Sequence, residues 1–140
     1  MGIAPATAPD RDAVIALWRA CSLTRDWNDP RDDFDLAMAT ATSTILIARD
    51  DGPITGTIMV GFDGHRGWVY YLGVDPALRR SGTGRALMAA AEQWLRDRGA
   101  PKMQLMIREG NEVALAFYAA LGFAPQPMAI VGKFLGAGEQ

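Results

Sequence analysis

Between Trp68 and Arg98 the apolar pattern changes period across one glycine-spaced loop, WVYYLGVDPALRRSGTGRALMAAAEQWLRDR. Trp68 to Val74 is aromatic and β-branched enough to form a buried strand. Asp75-Pro76 ends it, because proline has no N–H for a ladder and restricts the residue before it. From Thr83 the spacing becomes helical, with Leu87, Ala90, Ala91, Trp94 and Leu95 on one face. A strand that feeds a glycine-rich turn into a helix start is an anion site in outline. The first helical N–H groups have no intrahelical partners, and the helix dipole adds partial positive charge there. Gly82 and Gly84 allow close approach to the backbone, and Arg79, Arg80 and Arg85 add formal charge.

Two well-known phosphate loops fit this segment poorly. A dinucleotide fingerprint would place Gly or Ala where Leu87 stands, and no clear acidic residue ends the next strand. A Walker A loop would end in Gly-Lys-Ser/Thr, a triplet absent from the chain. The pattern present is R-x-x-G-x-G, Arg79-Arg80-Ser81-Gly82-Thr83-Gly84. It resembles the pyrophosphate loop of the GNAT superfamily of acetyl-coenzyme A-dependent N-acetyltransferases. The plain alternative is a helix start with two glycines and three solvated arginines.

The formal net charge of −2 argues against a chain that coats nucleic acid, so the arginines of this loop favour a small anion. Cys21 is the only cysteine, which excludes an intrachain disulfide or a cysteine-cluster metal site. It shares an apolar helical face with Val14, Leu17 and Trp18 and is expected to be a buried structural thiol. No run is long enough to span a membrane, and MGIAPATAPDRD lacks a basic-then-apolar signal layout, so a cytoplasmic enzyme is expected.

In chain order, Ile3 to Thr7 is a weak strand, confined to an edge by Pro5. Asp10 starts a helix to about Cys21, and Asp29-Pro30 starts a second through Phe34, Met38 and Ala41. Ser43 to Arg49, Ile54 to Phe62 and Trp68 to Val74 follow as an antiparallel meander. Lys102 to Ile107 is a strand parallel to the third of these, since a helix separates them. Asn111 starts a helix to Leu121, and Gly122 ends it. Phe123 and Met128 to Phe134 would form a last strand pair, with the GAGEQ tail frayed. The order β-α-α-β-β-β-α-β-α-β-β describes one α/β (α+β) domain, residues 1–140, with a mixed sheet of six to seven strands and about four helices on both faces.

The stretch N111-E-V-A-L-A-F-Y-A-A-L-G-F123 resembles the second GNAT signature, N-x-x-A-x-x-F-Y-x-x-x-G-F, at every specified position. Both motifs, in the right order and on matching elements, make a strong resemblance over about the last half of the chain. The DGHRG turn and the WND segment are loosely similar to small bacterial acetyltransferases of the YpeA type.

The resemblance implies a set of roles. Two parallel strands splay apart, and the pantetheine arm hydrogen-bonds to the first, here at Leu72, Gly73 and Val74. The pyrophosphate meets the amides of Arg79, Arg80, Ser81, Gly82, Thr83 and Gly84, with Thr83 and Arg85 as side-chain candidates. Asn111 matches a cofactor contact, and Tyr118 matches the donor of a proton to the leaving thiolate. These two lie about two helical turns, roughly 10 Å, apart on one side of their helix; the plain alternatives are an N-cap and a core aromatic. The expected reaction is direct attack of an amine on acetyl-coenzyme A, with no metal.

The general base is where the match departs. In the branch that acts on ribosomal-protein termini a Glu stands five residues before the motif asparagine, and here that position is Met106. Asp63, His65, Glu109 or water is left for that task. The segment Thr24 to Asp33, acidic through Asp26, Asp29, Asp32 and Asp33 and carrying Trp27, and the Pro125–Met128 loop are the candidate acceptor walls. The partners expected are acetyl-coenzyme A and an amine acceptor, with no nucleic acid or membrane and with a homodimer as an allowed assembly. The rival reading is a non-catalytic acetyl-coenzyme A sensor.

Overall fold

The computed structural model describes residues 1–136, which fall into two compact units, Met1–Met106 and Ile107 onward. The first holds one five-stranded sheet in the order β1-β2-β3-β4-β5. Its strands are β1 (Gly2–Pro5), β2 (Ser43–Arg49), β3 (Ile54–Phe62), β4 (Gly67–Val74) and β5 (Met103–Leu105). β1 to β4 pair antiparallel in sequence order, and β4 pairs with β5 in parallel, as the helical crossover requires. Pro5 is tolerated because β1 is the edge.

Residues Ile45 to Ala48 of β2 are all buried, so both faces of this strand are covered. On one face lie α1 (Arg11–Ala20) and α2 (Pro30–Ala39), whose Val14, Ile15, Trp18, Phe34 and Ala37 join Ala6, Ile45 and Ile47 in one core. Asp10, just before α1, accepts hydrogen bonds from the Thr7 amide at 2.8 Å and the Thr7 hydroxyl at 2.9 Å and pairs with Arg49. Asp29 caps α2 by accepting from the Arg31 amide at 2.9 Å, with Pro30 as its first residue.

On the other face lies α3 (Thr83–Asp97), with Thr83, Leu87, Met88, Ala91 and Leu95 buried. Met88 joins this stripe, Ala90 and Trp94 are half-buried, and the Arg98 guanidinium lies over the Trp94 ring, 3.6 Å from its centre. Glycines in the sheet let α3 sit close. A Cβ on Gly56 would fall 2.7 Å from Leu87 Cδ1 and 2.9 Å from Thr83 Cγ2, and one on Gly67 would meet Leu95 at 2.6 Å.

The second unit is built on α4 (Glu112–Ala120), capped by Asn111 Oδ1, which accepts from the Ala114 amide at 3.0 Å. The expected last strand pair does not form, and the described sheet has five strands rather than six or seven. The reason is local. Gly122 turns left-handed (φ 96°), and the Phe123 N–H is used to close α4 on the Tyr118 carbonyl at 3.0 Å. Pro125 and Pro127 then remove two ladder donors, and Met128 N–H turns back to Gln126 O at 2.8 Å. β5 is likewise shorter than the expected Lys102–Ile107, and the tail expected to fray lies, but for Gly136, outside the described residues.

Candidate active site

Two features of the first unit meet at the end of β4. Its parallel pairing with β5 stops at Val69↔Leu105, while its antiparallel pairing with β3 runs on to Gly56↔Val74. Gly73 and Val74 thus pair with β3 on one side, and from Leu72 to Val74 no strand, among the described residues, pairs on the other. That open edge is what a ligand extending the sheet would use.

The second feature is a β-bulge. The register steps from Thr57↔Gly73 to Met59↔Tyr70, so Tyr71 and Leu72 stand together opposite Ile58. Tyr71 carries φ 54°, a left-handed conformation that costs a bulky residue about 1–3 kcal/mol. Its ring stacks on buried Trp18 at 3.9 Å, worth about 0.5–1.5 kcal/mol. Its hydroxyl donates to Asp33 Oδ2 at 2.6 Å, and hydrogen bonds to charged groups contribute about 1.5–3 kcal/mol. Together these offset the strain. Burial and the Asp33 carboxylate also hold the phenol well above its ordinary range.

The bulge brings Tyr70 and Tyr71 to the same face, where with Asn28, Asp33, Leu36 and Met59 they line a cleft of about 380 Å³. None of this was expected from the sequence, although a Tyr-Tyr doublet inside a strand of period two was a hint that one residue was out of phase. Cys21 is also placed differently from the expectation. It sits at the end of α1, only partly buried, and its thiol donates to Val74 O at 3.3 Å.

After β4, Asp75 accepts from the Ala77 amide at 3.0 Å, and Pro76–Leu78 makes one 3-10 turn. Arg80 and Gly82 are both left-handed (φ 69° and 89°). Gly82 is the N-cap of α3, without a side-chain cap, and the helix's first backbone bond runs from Ala86 N to Gly82 O at 3.0 Å. The amides of Thr83, Gly84 and Arg85 precede that bond. Arg79, Arg80 and Arg85 are exposed around them, with Arg79 Nε donating to Val74 O at 3.4 Å. Ser81 and Thr83 hydroxyls bond to each other at 2.9 Å, and Thr83 is buried, so its side chain serves the loop itself.

In the second unit Asn111 is the cap of α4, which commits its Oδ1 and leaves Nδ2 as its donor for any ligand. Tyr118 is half-buried, edge-on to Phe117 at 5.0 Å and to Phe123 at 5.8 Å, and burial raises its phenol pKa, so it holds its proton at neutral pH.

Of the candidate bases, Asp63 belongs to its turn. Its Oδ1 accepts from the Arg66 amide at 2.7 Å and the His65 amide at 2.8 Å, and those bonds hold its carboxyl below the usual range. His65 and Glu109 are exposed. Trp27 is 53% exposed, and of the neighbouring acids Asp29 is used as the α2 cap.

A protein-family model described as the acetyltransferase (GNAT) family matches residues 11–123. The chain belongs to this family. The GNAT match spans both units and includes both motifs. Solved structures agree in fold. An aminoglycoside antibiotic 6'-N-acetyltransferase, AAC(6')-IG from Acinetobacter haemolyticus, is similar at TM-score 0.81 and 19% identity, covering 97% of this chain and 100% of that one. AAC(6')-Iy, in complex with a bisubstrate analogue, CoA-S-monomethyl-acetylneamine, is similar at TM-score 0.82 and 18% identity over 95% and 97% of the two chains. Glucosamine-6-phosphate N-acetyltransferase from Arabidopsis thaliana is similar at TM-score 0.74 and 18% identity, over 95% and 97%. At these identities the likeness speaks to architecture, and the GNAT chain described here is an acyltransferase by family.

Proposed function

We propose that this chain transfers the acetyl group of acetyl-coenzyme A to a primary amine of a small molecule, working as one catalytic domain. The observation that carries this reading is the uncapped start of α3, with Thr83, Gly84 and Arg85 amides ahead of the first helical bond and three exposed arginines around them. A pyrophosphate suits that cradle: Gly82 has open space where a Cβ would stand. The residues present therefore fit the cosubstrate.

On this reading the backbone of Leu72, Gly73 and Val74 holds the pantetheine arm along the open edge, and Arg79 to Arg85 hold the pyrophosphate. Asn111 donates through Nδ2. Acetyl-coenzyme A supplies an activated acyl carbon and a thiolate leaving group. Tyr118, kept protonated by burial, donates its phenolic proton to the departing sulfur. The amine's own proton passes to water. The acceptor enters over the cleft of Asn28, Asp33, Tyr70 and Tyr71. That several structural relatives are named as acting on amino sugars supports a small amine.

The test is acetyl-coenzyme A titration followed by thermal unfolding, then thiol release with a panel of small amines. A hundredfold excess over Kd adds about 2.7 kcal/mol of stability, several degrees in Tm. A Tm that saturating acetyl-coenzyme A leaves unmoved overturns the proposal. A Tm that rises without thiol release from any amine favours the sensor reading.

A further inference from the structure

We propose that Asp33 of α2 is a positioning residue for the cofactor strand: through Tyr71 it fixes the bulge that decides which backbone groups of Leu72, Gly73 and Val74 face the open edge of β4. The inference rests on the reading that this edge receives acetyl-coenzyme A.

The argument is one of phase. Side chains and backbone polar groups both alternate along a strand with period two. A Cβ at Gly67 would point at Leu95 of α3, and Tyr70 lines the cleft on the α1–α2 face, so the strand keeps its alternation to that point. Tyr71 should then turn toward α3. It stacks instead on Trp18 of α1, and a Cβ at Gly73 would meet Leu23 and Cys21 at 3.0 and 3.1 Å. The extra residue has shifted the phase by one, so every N–H and C=O beyond it exchanges sides. Without the bulge, the groups offered to a ligand at the open edge would be those now paired with β3.

A non-glycine residue at φ 54° keeps such a shift only when its surroundings hold it. What holds Tyr71 is the Trp18 stack and the 2.6 Å bond from its hydroxyl to Asp33 Oδ2, the oxygen that also accepts from Asn28 Nδ2 at 3.2 Å. Asp33 lies 38 residues away in sequence, on a different element, so the tie is tertiary. The Asp33 carboxylate is bonded to Tyr71 and Asn28 and acts through Tyr71.

The experiment measures acetyl-coenzyme A affinity without acceptor, well below each variant's Tm, for Asp33→Ala, Asp33→Asn, Tyr71→Phe and the Asp33→Ala/Tyr71→Phe double variant. Small displacements of binding groups cost up to about a hundredfold. Asp33→Ala and Tyr71→Phe should each weaken binding by about tenfold or more, and the double variant by no more than either. Asp33→Asn, which keeps an acceptor oxygen, should recover most of the loss. Amide exchange at Leu72 to Val74 in the unliganded variants should quicken alongside. Tyr71→Phe removes one oxygen and serves if the alanine variant fails to fold. Lower Tm with unchanged affinity and unchanged exchange would make the contact merely structural and overturn the inference. Wild-type protein that does not bind acetyl-coenzyme A removes the functional reading first, and this inference with it.

Discussion

Two helix starts in this chain solve the same problem in opposite ways. α4 begins with Asn111, whose side chain accepts the Ala114 amide, and α3 begins with Gly82, which offers no side chain at all. Both helices leave N-terminal amides without backbone partners. At α4 the chain satisfies one itself, and at α3 it leaves them to whatever approaches. α2, capped by Asp29, falls on the same side of the comparison as α4. The difference separates two kinds of helix start: α3 presents bare backbone amides, and α4 presents a side chain that caps it.

The largest expected effect tests the side-chain half. Tyr118→Phe deletes the hydroxyl and keeps the ring, and turnover should fall about 10²-fold or more with acetyl-coenzyme A affinity little changed. Near-normal turnover, under conditions where chemistry limits the rate, would return Tyr118 to the role of a packing aromatic. A related check uses pH. Because the phenol pKa is raised, the midpoint of any loss of rate through its ionisation should lie above the ordinary tyrosine value near 10.

The backbone half is broken by giving α3 an anionic start. Gly82→Asp and Gly82→Asn share size and the strain of φ 89°, and both residue types tolerate that region better than most. Only the first brings a negative charge into phosphate space. Gly82→Asp should abolish the acetyl-coenzyme A-dependent rise in Tm, while Gly82→Asn keeps much of it. A full rise in Tm retained by Gly82→Asp would mean that the loop binds no anion.

The smallest effects sharpen the comparison at Asn111. Asn111→Asp keeps the capping oxygen and loses the Nδ2 donor, whereas Asn111→Ala loses both. The alanine variant should lose about 1 kcal/mol of stability. The aspartate variant should unfold like wild type yet bind acetyl-coenzyme A several-fold more weakly. Wild-type affinity in Asn111→Asp would leave the residue as a cap alone.

The sequence was most informative where structure is local. Ser43–Arg49, Ile54–Phe62, the proline-limited edge strand and the helix starts at Asp29, Gly82 and Asn111 all follow from periodicity, breakers and caps that act within a few residues. The family was legible because both motifs are short, ordered and complete. The bulge was not, because Tyr71 carries none of the usual glycine marking and is held by Trp18 and Asp33 from other elements. The last strands were over-read for a related reason. The apolar spacing of Met128–Phe134 fits a strand, yet a strand also needs donors and a partner, and Phe123 gives its N–H to α4 while Pro125 and Pro127 have none.

One consequence reaches beyond the loop that gives the chain its signature. Gly56, inside β3, sits beneath Thr83 and Leu87 so closely that even a methyl group there would collide with both. It has no side chain to offer a ligand, and no motif includes it. Yet whatever occupies that position sets the height at which α3 begins, as a shim sets the seat of a bearing. A survey of natural or engineered variants confined to the signature residues would miss it. The seating of α3 thus depends on an interior strand residue that acts by what it lacks.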